Sequence, residues 1–282
     1  MSGIHIVTDS TSDIPAEILK QYDNITVVPL KVMFGQEVFR DGVDLSPAEF
    51  YRRLTATKEI PRTSQPSPGE FLEVYQKLAD QEQQIISIHL SSHLSGTVQS
   101  ARTAGSILNY QDIEIIDSLS ASMGIGLIVL AAANAAKNGH SYKEIIDLVI
   151  KIRNNLKIYF LVDSLEYLQK GGRIGKARAF LGTLLNIKPI LRVNEGIVHP
   201  YEKIRGKAKA LNRLIEITSH EITPGTSVEC CILHAAEPKG ANRLKDMLLE
   251  KFPGINVIFA DVGPVIGTHV GPGTLGIIFY TY

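Results

Sequence analysis

Short β-branched runs in the first half of the chain are spaced too widely for hairpins, and helical stretches fill the gaps between them. IHIVTD (from Ile4), NITVVPLKV (from Asn24), IISIHL (from Ile85) and IEIIDS (from Ile113) read as buried strands. Start signals mark the helices between. Ser46-Pro47 precedes AEFYRRL, and Ser67-Pro68-Gly69-Glu70 is a capping box with proline at the first helical position. GTVQSARTAGSIL, after Ser95, has a helical apolar period. Strand–helix alternation of this kind requires crossover connections, and so a parallel sheet covered on both faces. The longest apolar tract, MGIGLIVLAAANAA from Met123, is rich in glycine and alanine and reads as a core helix.

After Lys137-Asn138-Gly139-His140 and the charged helix near Tyr142–Leu156 the pattern changes. IYFLVDS, NIKPILRVN and EGIVHPYEKIR resemble strands with tight connections. A helix from about Gly206 to Glu221, strand SVECCIL, helix PKGANRLKDMLLEKF and strand INVIFADV follow, and VIGTHVGPGTLGIIFY closes the chain. The expected fold is α/β in two domains. Residues 1–155 would form a three-layer α/β/α unit with a parallel sheet, and residues 156–282 an α/β unit with a mixed sheet, a ligand lying between them.

Several function classes are disfavoured. Lys plus Arg and Asp plus Glu both number 29, whereas a general nucleic-acid binder carries a basic excess. No run approaches the ~18 apolar residues of a membrane span, and the start MSGIHIVTDS lacks the pattern of a signal peptide. The only cysteines, Cys230 and Cys231, are neighbours in an apolar run. On a strand they point to opposite faces, which suits buried thiols in a reducing cytoplasm rather than a disulfide or a shared metal.

Small hydroxyl residues gather at the ends of the expected strands, in Thr8–Asp13, Arg62–Glu70, Leu90–Ser100 and Ile116–Gly124. In an open α/β sheet ligands bind outside the carboxyl ends of the strands. Ser95-Gly96-Thr97 lies where a strand ends and a helix begins, so free N–H groups and the helix dipole favour an anion there; Ser95 as a plain N-cap is the alternative. A serine hydrolase acting through Ser95 has no G-x-S-x-G elbow to support it. Gly271–Gly276 matches G-x-G-x-x-G, but only six residues follow, too few for a dinucleotide fold. Gly171–Lys176 lacks the spacing of a phosphate loop, and the histidines show no metal-ligand spacing. His269, among apolar residues and glycines, is an isolated polar group that needs a partner. The basic stretch Gly171–Arg178, with Lys203, Arg205, Lys207 and Lys209, reads either as solvated surface or as a docking patch.

At these residues the chain closely resembles the DegV family, the fatty-acid-binding subunits of bacterial fatty acid kinases. The segments that carry the resemblance are IVTDSTSDIP, RTSQPSPGEF, SSHLSGTVQSA, IDSLSASMG, LVDSLEYLQKGGRIG, LNIKPIL and VIGTHVGPGTLG, in family order across almost the whole chain. The resemblance implies that Thr63, Ser95, the backbone near Gly96, and His269 hold the carboxylate of a long-chain fatty acid such as palmitate. It further implies that a separate kinase phosphorylates that carboxylate to an acyl phosphate, so this chain is a carrier with no catalytic residues and no cofactor beyond the bound acid. Arg173 and Arg205 are the candidates for kinase docking. Hydroxyls, a helix end and an imidazole would serve a buried carboxylate without an arginine charge beside it. An acyl-ester hydrolase using Ser95 and a lipid-responsive regulator are the alternatives.

Overall fold

The computed structural model describes residues 3–57, 60–182, 186–223 and 225–282. Met1 and Ser2 of the start segment, and Leu185, the first residue of LNIKPIL, lie outside them.

Strands β1 (Ile4–Asp9), β2 (Ile25–Val28), β6 (Gln84–His89) and β7 (Ile113–Asp117) form a parallel sheet in the order β2-β1-β6-β7. The run NITVVPLKV does not stay one strand. Pro29 has no N–H to give a ladder. The chain leaves the sheet after Val28 and starts β3 (Lys31–Phe34), which pairs antiparallel with β4 (Glu37–Arg40) and β5 (Arg62–Ser64) in a separate small sheet. Between these strands lie α1 (Ala16–Leu19), α2 (Pro47–Ala56), α3 (Pro68–Ala79) and α4 (Thr97–Leu108), and α5 (Met123–Lys137) and α6 (Tyr142–Asn155) follow β7. The capping box at Ser67 and Glu70 opens α3 as its sequence implies, and Ser141 with Glu144 opens α6 in the same way.

Strand period divides the parallel sheet between two cores. Val7 and Ile85 pack under α3 and α4 with Phe71 and Tyr75, while Ile6, Ile86 and Ile88 face the other way, toward α5. The second half builds a six-stranded sheet from β8 (Lys157–Leu161), β9 (Ile187–Asn194), β10 (Ile197–Arg205), β11 (Val228–His234), β12 (Asn256–Asp261) and β13 (Leu275–Thr281). Its order is β10-β9-β8-β13-β11-β12, and β11–β12 is its one parallel pair, so it is mixed. Helices α8 (Lys207–Glu221) and α9 (Pro238–Lys251) cover its outer face through Leu214 and Leu244. Helix α7 (Glu166–Lys170) and a 3-10 segment (Gly175–Phe180) follow β8. The closing run splits into α10 (Pro264–Val270) and β13, and Gly271 and Gly273 turn the chain between them at φ +74° and +82°. Cys230 faces the outer core and Cys231 the inner one, both as free thiols.

Helix α5 lies between the two sheets. It has no polar face, and Met123 through Leu130 are all buried. Gly124 and Gly126 make room for this: a Cβ at 124 would overlap Ser120 Oγ and Ile158, and one at 126 would overlap the Ser12 carbonyl. The largest core therefore runs unbroken from Ile6 through Ile128 to Ile158 and Ile278. Among the described residues no helix is long and apolar enough to cross a membrane.

Candidate ligand-binding site

The carboxyl ends of β1, β6 and β7 point toward the mixed sheet, and their loops are stitched together by buried hydrogen bonds. Asp9 accepts from Leu90 N and from Thr11 N, each at 3.0 Å, and its Oδ2 lies 3.0 Å from His89 Nδ1. Ser91 N donates to Ser120 O at 3.0 Å, and the Ser91 hydroxyl donates to Gly196 O at 2.9 Å. These bonds tie the hydroxyl-rich loop that carries Ser95 to its neighbours on both sides.

Between the sheets lies a cavity of about 300 Å³, at the lower end of the range for ligand pockets. Most of its wall is apolar, with Leu90, Ile158, Phe160, Val265 and Ile278 among the lining residues. Its polar lining includes Thr63, Gln65, Ser95, Arg173 and His269. Thr63 Oγ1 lies 2.9 Å from His269 Nε2. Arg173 donates to Leu94 O at 3.0 Å and to Gly171 O at 2.7 Å. His269 Nδ1 packs so closely on Gly171 that a Cβ there would overlap it. Gln65 crosses over Gly96, where a Cβ would again overlap, and donates to Ser100 Oγ at 3.0 Å. A second depression, of about 530 Å³, shares Thr63, Arg173 and His269 and adds Arg62 and Lys170.

The structure thus brings Thr63, Ser95 and His269 to one cavity although they are far apart in sequence. Thr63 sits on β5 opposite Val32. Ser95 is not the N-cap of α4. Gly96 holds that position, and the Ser95 hydroxyl lies 2.9 Å from Thr97 Oγ1. Gly96 is not itself a wall residue, but as N-cap it stands at the helix end whose first N–H groups have no partner within the helix. His269 comes from the last turn of α10. Burial, reinforced by the nearby Arg173 charge, lowers its pKa to about 4, so the ring is neutral near pH 7. Its Nδ1 is buried and has no hydrogen-bond partner among the described residues.

One expectation is corrected. The polar end is not free of arginine, because Arg173 lines the cavity. Arg205, by contrast, is exposed at the far end of β10. Seven residues of strand, about 23 Å, separate it from the cavity residue Val198. Ser95 is not set up as the serine of a hydrolase, since its hydroxyl bonds to Thr97 and not to a histidine, and His269 Nδ1 faces Gly171 and not a carboxylate. Among the described residues no group of three or more His, Cys, Asp or Glu is placed to hold a metal ion.

Sequence reasoning missed Gln65, Arg173 and Ser122 as wall residues. Gln65 and Ser122 lie inside hydroxyl-rich segments singled out above, so that signal could have found them. Nothing local in the sequence marks the apolar wall, which is assembled from five strands, two helices and the loops between elements.

The model of the DegV family matches residues 3–282. Protein DegV of Bacillus subtilis is 38% identical over 276 residues, covering 98% of each chain. Among solved structures, a DegV family protein from Thermus thermophilus, described by its fatty acid binding, superposes with a TM-score of 0.93 at 34% identity, over 99% of this chain and all of that one. DegV of Bacillus subtilis, described as a fatty acid binding protein, gives 0.92 at 37% identity over the full length of both. A match over essentially the whole length, in sequence and in fold, means that this chain belongs to the DegV family.

Proposed function

We propose that this chain binds a long-chain fatty acid in the cavity between its sheets and presents the carboxylate to a separate kinase for phosphorylation to an acyl phosphate. The observation that carries the reading is that Thr63, Ser95, Arg173 and His269 line one chamber whose wall is mostly apolar. The fatty acid binding described for the Thermus and Bacillus relatives supports it. Thr63, Ser95, the α4 N-terminus at Gly96, and His269 hold the carboxylate, and Arg173 supplies a nearby positive charge. Burying a C16 tail is worth ~0.8 kcal/mol per methylene, on the order of 12 kcal/mol gross, much of it offset by the cost of association. The tail supplies most of the affinity, and the head group sets the direction. With the carboxylate at Thr63 and His269, its free side faces the depression that holds Arg62 and Lys170, an entry path for a phosphoryl donor.

Native mass spectrometry of the gently purified protein tests binding. A co-purified acid, or uptake of palmitate or oleate, is expected; neither would overturn the reading. Presentation is tested with the kinase. Arg205→Ala, remote from the cavity, should slow coupled phosphorylation while leaving palmitate affinity intact, and unchanged coupling rejects Arg205 as a docking residue.

A further inference from the structure

Helix α10 supplies His269 to the cavity, together with Val265, Ile266 and Val270. It is short, and its own N-cap, Gly263, has no side chain to satisfy the first N–H groups. Two carboxylates from distant parts of the chain reach that end instead. Asp13 accepts from the Gly263 N–H, and Asp41 from the Val265 N–H. The fit is tight, for a Cβ at 263 would overlap Asp13 Oδ1 and come within 3.7 Å of Asp41 Oδ1.

Each carboxylate is held in turn by a hydroxyl. Ser122 donates to Asp13 Oδ2 at 2.5 Å, and Ser10 donates to Asp41 Oδ2 at 2.8 Å while its own oxygen takes the Leu30 N–H at 3.0 Å. Ser122 and Leu30 are themselves cavity wall. Asp13 sits in left-handed backbone at φ +51°, and Ser122 also has a positive φ, +55°, which is uncommon for residues other than glycine. The groups around the pair are Asp9 on β1, Tyr51 on α2 and Cys231 on β11. None of them is a cation. Burial, with the neighbouring carboxylates adding to it, raises Asp13 well above the usual range and Asp41 to about 7, so the pair retains protons that isolated carboxyls would lose.

We propose that Asp13 and Asp41 are positioning residues for the carboxylate grip, acting as a two-acid cap that fixes α10 and thereby sets His269 against Thr63. The proposal rests on the fatty-acid reading above and deepens it. The acids touch no ligand. They lock the helix that carries the head-group imidazole, and through Ser122 and Leu30 they lock the adjoining wall to the same point. Loss of the cap leaves the apolar chamber in place but frees the imidazole, so the penalty falls on the carboxylate and not on the tail.

The test compares palmitate with hexadecanol, which shares the tail and lacks the carboxylate, on the full-length protein and its variants. Asp41→Ala should reduce the preference for acid over alcohol about tenfold, the equivalent of ~1.4 kcal/mol, through weaker palmitate binding with little change for hexadecanol. Asp41→Asn, which keeps a carbonyl oxygen for the Val265 N–H, should restore most of that preference. Ser122→Ala, a milder change behind Asp13, should show the same selective loss to a smaller degree and serves if Asp13→Ala does not fold. If palmitate and hexadecanol weaken together, or if the preference is unchanged in all variants, the acids are structural only and the proposal is overturned. If the unaltered protein binds neither ligand, the fatty-acid reading itself fails.

Discussion

The Thr63–His269 contact, 2.9 Å across 206 residues of sequence, shows how the site divides its work among single side chains. In the proposed grip a neutral imidazole, two hydroxyls and a helix end donate hydrogen bonds to the carboxylate, and Arg173 in the cavity lining adds charge. Ser95→Ala should weaken palmitate binding by roughly 1–3 kcal/mol, the scale of one hydrogen bond to a charged group; titration calorimetry reads this, and unchanged affinity removes Ser95 from the grip. Protonation gives a second check. His269 is neutral in the fold down to about 4 but takes a proton near 6.5 when unfolded, so it makes stability rise with pH over that window. Asp41 keeps its proton to about 7 in the fold and loses it near 3.8 when unfolded, so it makes stability fall as pH rises from ~4 to ~7, with a limiting slope of about 1.4 kcal/mol per unit. Asp13 acts with the sign of Asp41. The opposing slopes partly cancel. Urea denaturation at several pH values should show His269→Gln steepening the fall between pH ~4 and 6.5, and Asp41→Asn flattening it. At this scale the sequence was legible where chemistry clusters in short words. Hydroxyl-rich segments marked the surroundings of Thr63 and the strand–helix junction of Ser95, glycines marked His269, and the family resemblance singled out Thr63 itself. Asp13 was marked only as the end of a hydroxyl-rich segment and Asp41 not at all, because an aspartate in a polar word gives no sign of burial until the fold closes over it.

Among the elements, α5 has the most demanding environment. Its glycine- and alanine-rich tract announced a buried helix, yet periodicity could not say that both sides would be sheets, since a helix apolar all round looks alike against any core. Gly124→Ala should destabilise the protein by about 1–3 kcal/mol, because the added methyl presses on Ser120 and Ile158 with no room to yield; a denaturation midpoint unchanged from the parent would refute the tight packing. The strands and capped helices of the first half were legible for the opposite reason, namely that period and caps are local. Pro29 shows the limit. The run from Asn24 reads as one strand by composition, but a missing N–H sends its two halves to different sheets. Likewise VIGTHVGPGTLGIIFY hides a helix and a strand behind one apolar stretch, divided at Gly271 and Gly273.

On the scale of the whole molecule, the change from parallel to mixed sheet follows the change in sequence pattern near residue 155, and family resemblance together with strand–helix order was enough to anticipate the architecture. Core continuity was not legible, because it depends on residues such as Ile6 and Ile278 that meet only through α5. Calorimetry should therefore record a single unfolding transition despite two sheets, and two separated transitions would contradict a shared core. The same helix bears on how this chain can be cut. A polypeptide ending at residue 155 would carry α5 with one flank bare, and the complementary piece would present the inner side of its sheet to water. Each fragment alone should aggregate. Made together, they should find each other and regain the proposed fatty-acid binding, which would turn the molecule into a two-part reporter whose reassembly depends on one greasy helix being covered from both directions.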